Sequence, residues 1–223
     1  MANNVLIIGA SRGLGLEFVR QYRADHHRVV ATARDEAGLQ RLRALGAEAF
    51  ALDLTDAASA CGIGARIDGE AFDIVVISAG VYGPRTTGLE PPAQDDFDLV
   101  MRTNVLGPMR VVSQLADALA PHAKLALISS RMGSIGLRNS AYGWLYRASK
   151  AALNSVLKDA SLELGGRATC VAFHPGWVQT DMGGAGADLT PAQSVHDLRA
   201  VLARLSPADN GGYFDRDGSP LAW

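Results

Sequence analysis

Val5-Leu6-Ile7-Ile8-Gly9-Ala10-Ser11-Arg12-Gly13-Leu14-Gly15 is the stretch that decides the fold. An unbroken apolar run is followed by three closely spaced glycines, and a helical pattern opens at Leu14. A strand covered on both faces has this continuous apolar character. The same unit recurs along the chain. Short apolar runs at 5–8, 28–32, 48–52, 74–78, 124–129 and 169–174, with a last one at 213–215, alternate with helical patterns at 14–24, 36–45, 57–66, 94–120, 146–164 and 191–205. This alternation predicts an α/β protein with a doubly wound, seven-stranded parallel sheet and helices on both faces. No internal repeat and no Pro- or Ser-rich linker divides it, so residues 1–223 read as one domain.

The composition agrees. A chain of 223 residues, 48% of them hydrophobic, can bury one substantial core. A net charge of −2 gives no electrostatic case for nucleic acid or an anionic membrane. No apolar run approaches the roughly 18 residues that span a bilayer, and no signal-peptide core opens the sequence. Cys61 and Cys170 lack metal-ligand spacing, and no metal site is expected. These features predict a soluble cytoplasmic protein.

In an open parallel sheet, ligands lie beyond the carboxyl ends of the strands. The chemistry should therefore follow the apolar runs. After the fifth comes Ser129-Ser130-Arg131-Met132-Gly133-Ser134, and then Tyr146-Arg147-Ala148-Ser149-Lys150 opens a helical pattern. Tyr146 and Lys150 are one turn apart and share a helix face. A free phenol ionises near pH 10, and an adjacent ammonium favours the phenolate and lowers that value. Ser130 or Ser134 would hold a carbonyl oxygen beside the phenol. Ser130 is preferred because it directly ends a strand. Tyr142 has Tyr146, not a lysine, four residues on.

Gly-x3-Gly-x-Gly at Gly9, Gly13 and Gly15 together with Tyr-x3-Lys at Tyr146 and Lys150 resembles the short-chain dehydrogenase/reductase family, from Val5 onward. The resemblance implies a Rossmann-type fold and a dinucleotide cofactor. Gly9 would permit the tight turn, Gly13 the approach of backbone to a pyrophosphate, and Gly15 close helix packing. The loop Ser11, Arg12 and Leu14 would complete the phosphate site at a helix N-terminus. Ile8 stands where the family often has Thr, removing a hydroxyl that would tie the turn down.

NAD enzymes usually carry an acidic residue at the end of the second strand. Here Ala33 occupies that position, followed by Arg34, and Arg12 lies in the nearby loop. Two guanidinium groups suit a ribose 2′-phosphate, so NADP(H) is expected in preference to NAD(H). The other reading of Arg34 is a solvated residue opening the next helix. By the resemblance, Asp53 and Leu54 flank the adenine, although Asp53 also fits a helix N-cap region. Ala79 and Gly80 leave room for the cofactor ribose, with Ser78 replacing the family's Asn. Pro175, Val178 and Thr180 match the nicotinamide carboxamide site. Lys150 would bond the nicotinamide ribose, and Tyr146 adjoins it.

The resemblance assigns catalysis to Asn104, Ser130, Tyr146 and Lys150. Asn104, before Gly107-Pro108, would sit at a helix break and hold a water linking Lys150 to solvent. His174 at the end of the sixth strand reads as a hydrogen-bonded residue rather than a base. Ser-Ser-Arg-Met-Gly-Ser-Ile-Gly, Pro-Gly-Trp-Val-Gln-Thr-Asp-Met-Gly-Gly and the closing Asp-Gly-Ser-Pro-Leu-Ala-Trp look like the C-factor and Sniffer-like carbonyl reductases. Residues 182–189 would form a mobile cover, with Tyr82, Tyr142, Trp144 and Trp177 as substrate contacts or packing. Small residues Ala148, Ala151, Ala152 and Ser155 suit either a homodimer or homotetramer interface or packing within one subunit. The implied activity is NADPH-dependent reduction of an aldehyde or ketone, or the reverse oxidation of an alcohol. A second reading is a nucleotide-binding signalling or redox-sensor protein with little turnover.

Overall fold

The computed structural model describes residues 2–223. In chain order the elements are β1 (Asn4–Ile8), α1 (Gly13–Ala24), β2 (Arg28–Ala33), α2 (Glu36–Ala44), β3 (Glu48–Ala51), α3 (Ala57–Cys61), α4 (Ile63–Arg66) and β4 (Phe72–Ile77). Next come α5 (Gln94–Met101), a π-helical turn (Arg102–Leu106), α6 (Gly107–Val112), β5 (Leu119–Ile128), α7 (Trp144–Glu163), β6 (Ala168–His174), α8 (Pro191–Arg204) and β7 (Gly212–Asp215).

All seven strands are parallel, in the order β3-β2-β1-β4-β5-β6-β7. Side chains alternate between the two faces, so each strand feeds two cores. Leu6, Ile8, Val75, Ile77, Leu125 and Leu127 pack with Ile63, Val111, Leu153 and Leu157 from α4, α6 and α7. Val5, Ile7, Val76, Val171 and Phe173 pack on the opposite face with Phe18, Leu39, Leu42, Val195 and Leu198 from α1, α2 and α8. Each such side chain contributes about 1.5–3 kcal/mol when fully buried. Covering both faces explains why the apolar runs are unbroken. The strand order reverses between β1 and β4, and a crevice opens above their carboxyl ends. No helix among the described residues is long and apolar enough to cross a membrane.

The expected helix over 94–120 is broken. A π-helical turn interrupts it at Arg102–Leu106, and α6 ends at Val112. Gly107 is needed there, because a Cβ would stand 2.6 Å from the Leu54 Cβ. Leu119 and Ala120 belong to β5 instead, where Leu119 pairs with Phe72 and Lys124 pairs with Ile74. This irregular stretch holds Pro121, which has no N–H for the ladder, and His122 at φ 64°. The expected helix over 57–66 is likewise two short helices, divided at Gly62.

Candidate active site

The groove above β1 and β4 begins at the turn into α1. Gly9 has φ +81°, and a Cβ there would stand 2.6 Å from the Ala79 Cα, so backbone passes against backbone. A Cβ on Gly15 would collide with the Gly9 carbonyl oxygen, which is how α1 seats closely on the turn. The Gly9 N–H donates to the Thr32 hydroxyl (3.1 Å), and the Ala10 N–H donates to the Thr32 carbonyl (2.8 Å). Thr32 on β2 thus supplies the hydroxyl tie that Ile8 cannot. The N-terminus of α1 has no side-chain cap, whereas Asp35 caps α2 and Thr190 caps α8. Its free N–H groups and partial positive charge fit an anionic group in the groove.

Gly9, Ser11, Arg12, Gly13, Leu14, Arg34, Asp53, Leu54, Ala79, Gly80, Tyr146, Lys150, Pro175 and Thr180 all line this groove. Gly15 lies behind it, and Val178, in the segment that follows β6, is buried with only 5% of its surface exposed. Among the described residues no carboxylate pairs with Arg34, and the neighbouring Asp35 is committed to the Gly38 N–H (2.7 Å). Arg12 differs: its Nη1 lies 2.9 Å from Asp181 Oδ2, an ion pair across the groove. Arg41 adds a third guanidinium beside the loop, donating to the Ser11 carbonyl (3.2 Å). Burial draws the Asp53 carboxyl upward, but bonds from the Thr55 hydroxyl and N–H, with Arg34 nearby, hold it below its ordinary value. Asp56, not Asp53, caps α3.

At the other end of the groove, Asn104 sits fully buried in the π-helical turn. Its Oδ1 accepts from the Val81 N–H (2.8 Å), and its Nδ2 donates to the Val81 carbonyl (2.8 Å) and Ser149 Oγ (2.9 Å). The amide therefore clamps the segment after β4 to α7. A Cβ on Gly80 would stand 3.4 Å from both Asn104 Oδ1 and Lys150 Nζ, so glycine keeps open a small space that both groups face.

The two serine candidates separate clearly. The Ser130 hydroxyl accepts from the Met132 N–H (3.2 Å) and stands beside the Tyr146 phenol, and its backbone carbonyl accepts from Tyr213 Oη (2.5 Å). Ser134 is fully buried elsewhere: its hydroxyl donates to the Ala222 carbonyl (2.6 Å) and accepts from the Leu137 N–H (3.0 Å). Tyr146 stacks on Tyr82 with ring centroids 4.5 Å apart and planes 22° from parallel.

In the chain without cofactor the expected acidification of Tyr146 is absent. Burial pushes its phenol above the ordinary value, the Ser130 hydroxyl only partly offsets this, and Tyr82 and Tyr213 add to the rise. Lys150 is equally buried, and its Nζ donates to the Ile128 carbonyl (2.9 Å) while standing 5.7 Å from the centre of the phenol ring. Burial pulls that ammonium down to about 8. The physical reason is that loss of water outweighs a cation directed at a strand end rather than at the hydroxyl. The pair is a protonated phenol beside a desolvated ammonium.

His174 is outside the groove wall. Burial pulls its imidazole down to about 4, partly countered by Asp215, so it is neutral at physiological pH. Its Nδ1 is buried without a hydrogen-bond partner, contrary to the expected anchoring. The cover segment is well knit: Gln179 N–H bonds the Leu189 carbonyl (2.8 Å), Leu189 N–H the Trp177 carbonyl (3.1 Å), and Trp177 Nε1 the Gly183 carbonyl (2.9 Å). Met182 Sδ lies 3.9 Å from Tyr146 Oη. Trp144 bonds the Glu90 carbonyl, and Tyr142 and Trp177 are exposed. Thr32, Arg41 and Asp181 were not singled out from the sequence, because each acts through a partner far off in the chain, respectively Gly9, Ser11 and Arg12.

A family model described as short chain dehydrogenase matches residues 3–188. The chain is 36% identical over 154 residues to C-signal of Myxococcus xanthus, covering 68% of this chain and 92% of that protein. Carbonyl reductase Sniffer of Drosophila melanogaster is similar in structure, with a TM-score of 0.88 at 28% identity over 100% of both chains. A carbonyl reductase from Pseudomonas aeruginosa in complex with NADP gives a TM-score of 0.88 at 32% identity, again over 100% of both chains.

Proposed function

The chain belongs to the short-chain dehydrogenase family, and on that footing we propose that it is an NADPH-dependent carbonyl reductase with Tyr146 as proton donor. The observation that carries this reading is the buried phenol of Tyr146, with Ser130 beside it and Lys150 on the same helix face, at the end of a groove with an uncapped helix N-terminus. Reduction of a carbonyl needs a donor that holds its proton at neutral pH, as any un-ionised phenol does; burial makes this one a weaker acid, so its release depends on Lys150 and on the basicity of the developing alkoxide.

A reduced nicotinamide, when bound in this groove, would supply the hydride for the carbonyl carbon. Ser130 and Tyr146 hydrogen-bond the carbonyl oxygen, and Tyr146 releases its proton to it as negative charge develops. Lys150 stabilises the phenolate that remains. Asn104 keeps the small space over Gly80 available for the water through which the proton is replaced. At the far end, Gly9, Ser11, Arg12, Gly13, Leu14 and the start of α1 hold the pyrophosphate. Asp53 and Leu54 flank the adenine, Ala79 and Gly80 the ribose, and Pro175, Val178 and Thr180 the carboxamide. The unpaired Arg34, helped by Arg12, supports a 2′-phosphate and so NADPH over NADH.

The protein acts as one domain on a small-molecule substrate. Its two free cysteines suit a reducing compartment such as the cytoplasm. Exposed Phe97, Leu99, Leu106 and Met109 along α5 to α6 suit a helical interface with a second copy. The activity is tested by offering a panel of aldehydes and ketones with NADPH and following its absorbance. Turnover supports the reductase. NADPH binding without turnover on any member supports instead a nucleotide-binding sensor, the reading to which similarity with C-signal lends weight.

A further inference from the structure

We propose that Tyr82 is a positioning residue for Tyr146, its ring fixing the plane of the reacting phenol and shielding one face of it from water. The inference rests on Tyr146 as proton donor and concerns a residue that neither motif contains.

Tyr82 is itself tightly placed. On one side of it, both backbone polar groups of Val81 are held by the Asn104 amide at 2.8 Å. On the other, Gly83 has φ +76°, and a Cβ there would stand 2.5 Å from Val100 Cγ2, so the turn admits only glycine. Between these anchors the Tyr82 ring lies over Tyr146 at 4.5 Å. Its hydroxyl fits against Gly143, the residue before α7, where φ is +65° and a Cβ would collide with Tyr82 Oη. Arg85 stands 5.1 Å from the centre of the Tyr82 ring and donates to the Met182 carbonyl (2.8 Å). Met182 in turn reaches Tyr146 Oη through its sulfur. The arrangement closes into a ring of contacts around the phenol, and Tyr146 keeps only 7% of its surface exposed although it lines a groove.

A phenol free to swing has lost the alignment that proton transfer needs. The offset stack removes that freedom at little entropic cost, since Tyr82 is already fixed. The ionisable groups around Tyr146 are Lys150 on its own helix, Tyr82 and Arg85 after β4, and Tyr213 on β7. Tyr142 and Arg147 act on Tyr82 from the start of α7. Of these, Tyr82 covers the ring face.

The experiment compares Tyr82→Ala, Tyr82→Leu and Tyr82→Phe with wild type. Leucine keeps apolar volume, so one variant without the ring still folds if alanine does not. Positioning predicts that kcat for carbonyl reduction falls about three- to ten-fold without the ring. KM for two carbonyl compounds of unlike shape and the NADPH dissociation constant should hold within about two-fold, and phenylalanine should restore kcat. In the unliganded protein, the ring resonances of Tyr146, assigned by their loss in Tyr146→Phe, should show faster ring flipping in Tyr82→Leu than in wild type. An unchanged kcat and ring-flip rate overturns the proposal. So does a rise in KM that differs between the two compounds with kcat intact, which makes Tyr82 a substrate wall. Surviving turnover in Tyr146→Phe overturns the proton-donor reading beneath, while the ring-flip rate, which needs no turnover, still decides the role of Tyr82.

Discussion

Replacing Lys150 by methionine should stabilise the unliganded protein. The folded state holds this ammonium with 3% exposure and a hydrogen bond to the Ile128 carbonyl at 2.9 Å. Burial lowers its pKa from 10.5 to about 8. Below pH 8 both folded and unfolded chains carry the proton, and the folded one carries it at a penalty. From the two values the penalty is about 3 kcal/mol at pH 7. Between pH 8 and 10.5 the unfolded chain binds more protons than the folded one, so stability rises with pH. The penalty shrinks to about 2 kcal/mol at pH 9, a gain of about 1.3 kcal/mol over two pH units. Methionine fills a similar volume without charge but leaves the Ile128 carbonyl without its donor, which costs about 1 kcal/mol. The variant should therefore be more stable than wild type by about 2 kcal/mol at pH 7 and about 1 kcal/mol at pH 9. Cys170, which burial pushes up to about 12, weakens both proteins above pH 9 and cancels in the difference. Urea unfolding followed by circular dichroism at pH 7, 8 and 9 measures it. A methionine variant less stable at every pH, or a difference that does not change with pH, refutes the reasoning.

The cofactor end and the serine turn make further predictions. Arg34→Ala should weaken NADPH binding by about ten-fold or more while changing NADH little, as read by nucleotide fluorescence; equal losses exclude a role in reading the phosphate. Asp181→Asn should strengthen NADPH about two- to five-fold, because it frees Arg12 from a competing exposed carboxylate. Gly133→Ala should lose about 1–3 kcal/mol and most of kcat, since its Cβ would stand 2.9 Å from the Lys150 carbonyl carbon and drive the Arg131–Gly133 turn off α7. Gly186→Ala, with no atom within 4 Å of the added Cβ, is the neutral control for thermal stability.

The sheet was legible because strands buried on both faces leave little room for polar residues, and β1 with the glycine turn carried the architecture on its own. The region 94–120 misled because Leu115 and Ala118 keep helical spacing up to the point where the chain enters β5. The break at Gly107-Pro108 was legible, but the π-helical form of the turn before it, which buries Asn104, was not. At the site, residues on single loops were readable, but partnerships across the fold were not. Thr32 ties the glycine turn from 23 positions away, and Asp181 meets Arg12 from 169 away. Helical spacing correctly brought Tyr146 and Lys150 to one face. It carried no information on how completely both are withdrawn from water, and that withdrawal reverses the sign of the phenol's shift.

The central claim is that the Tyr146 hydroxyl delivers the proton to the nascent alkoxide. Tyr146→Phe, assayed with NADPH and a carbonyl substrate turned over by wild type, tests it most directly. The account predicts that kcat falls by about 100-fold or more with the NADPH dissociation constant held within about two-fold. A variant that still reduces the substrate within a few-fold of the wild-type rate contradicts it.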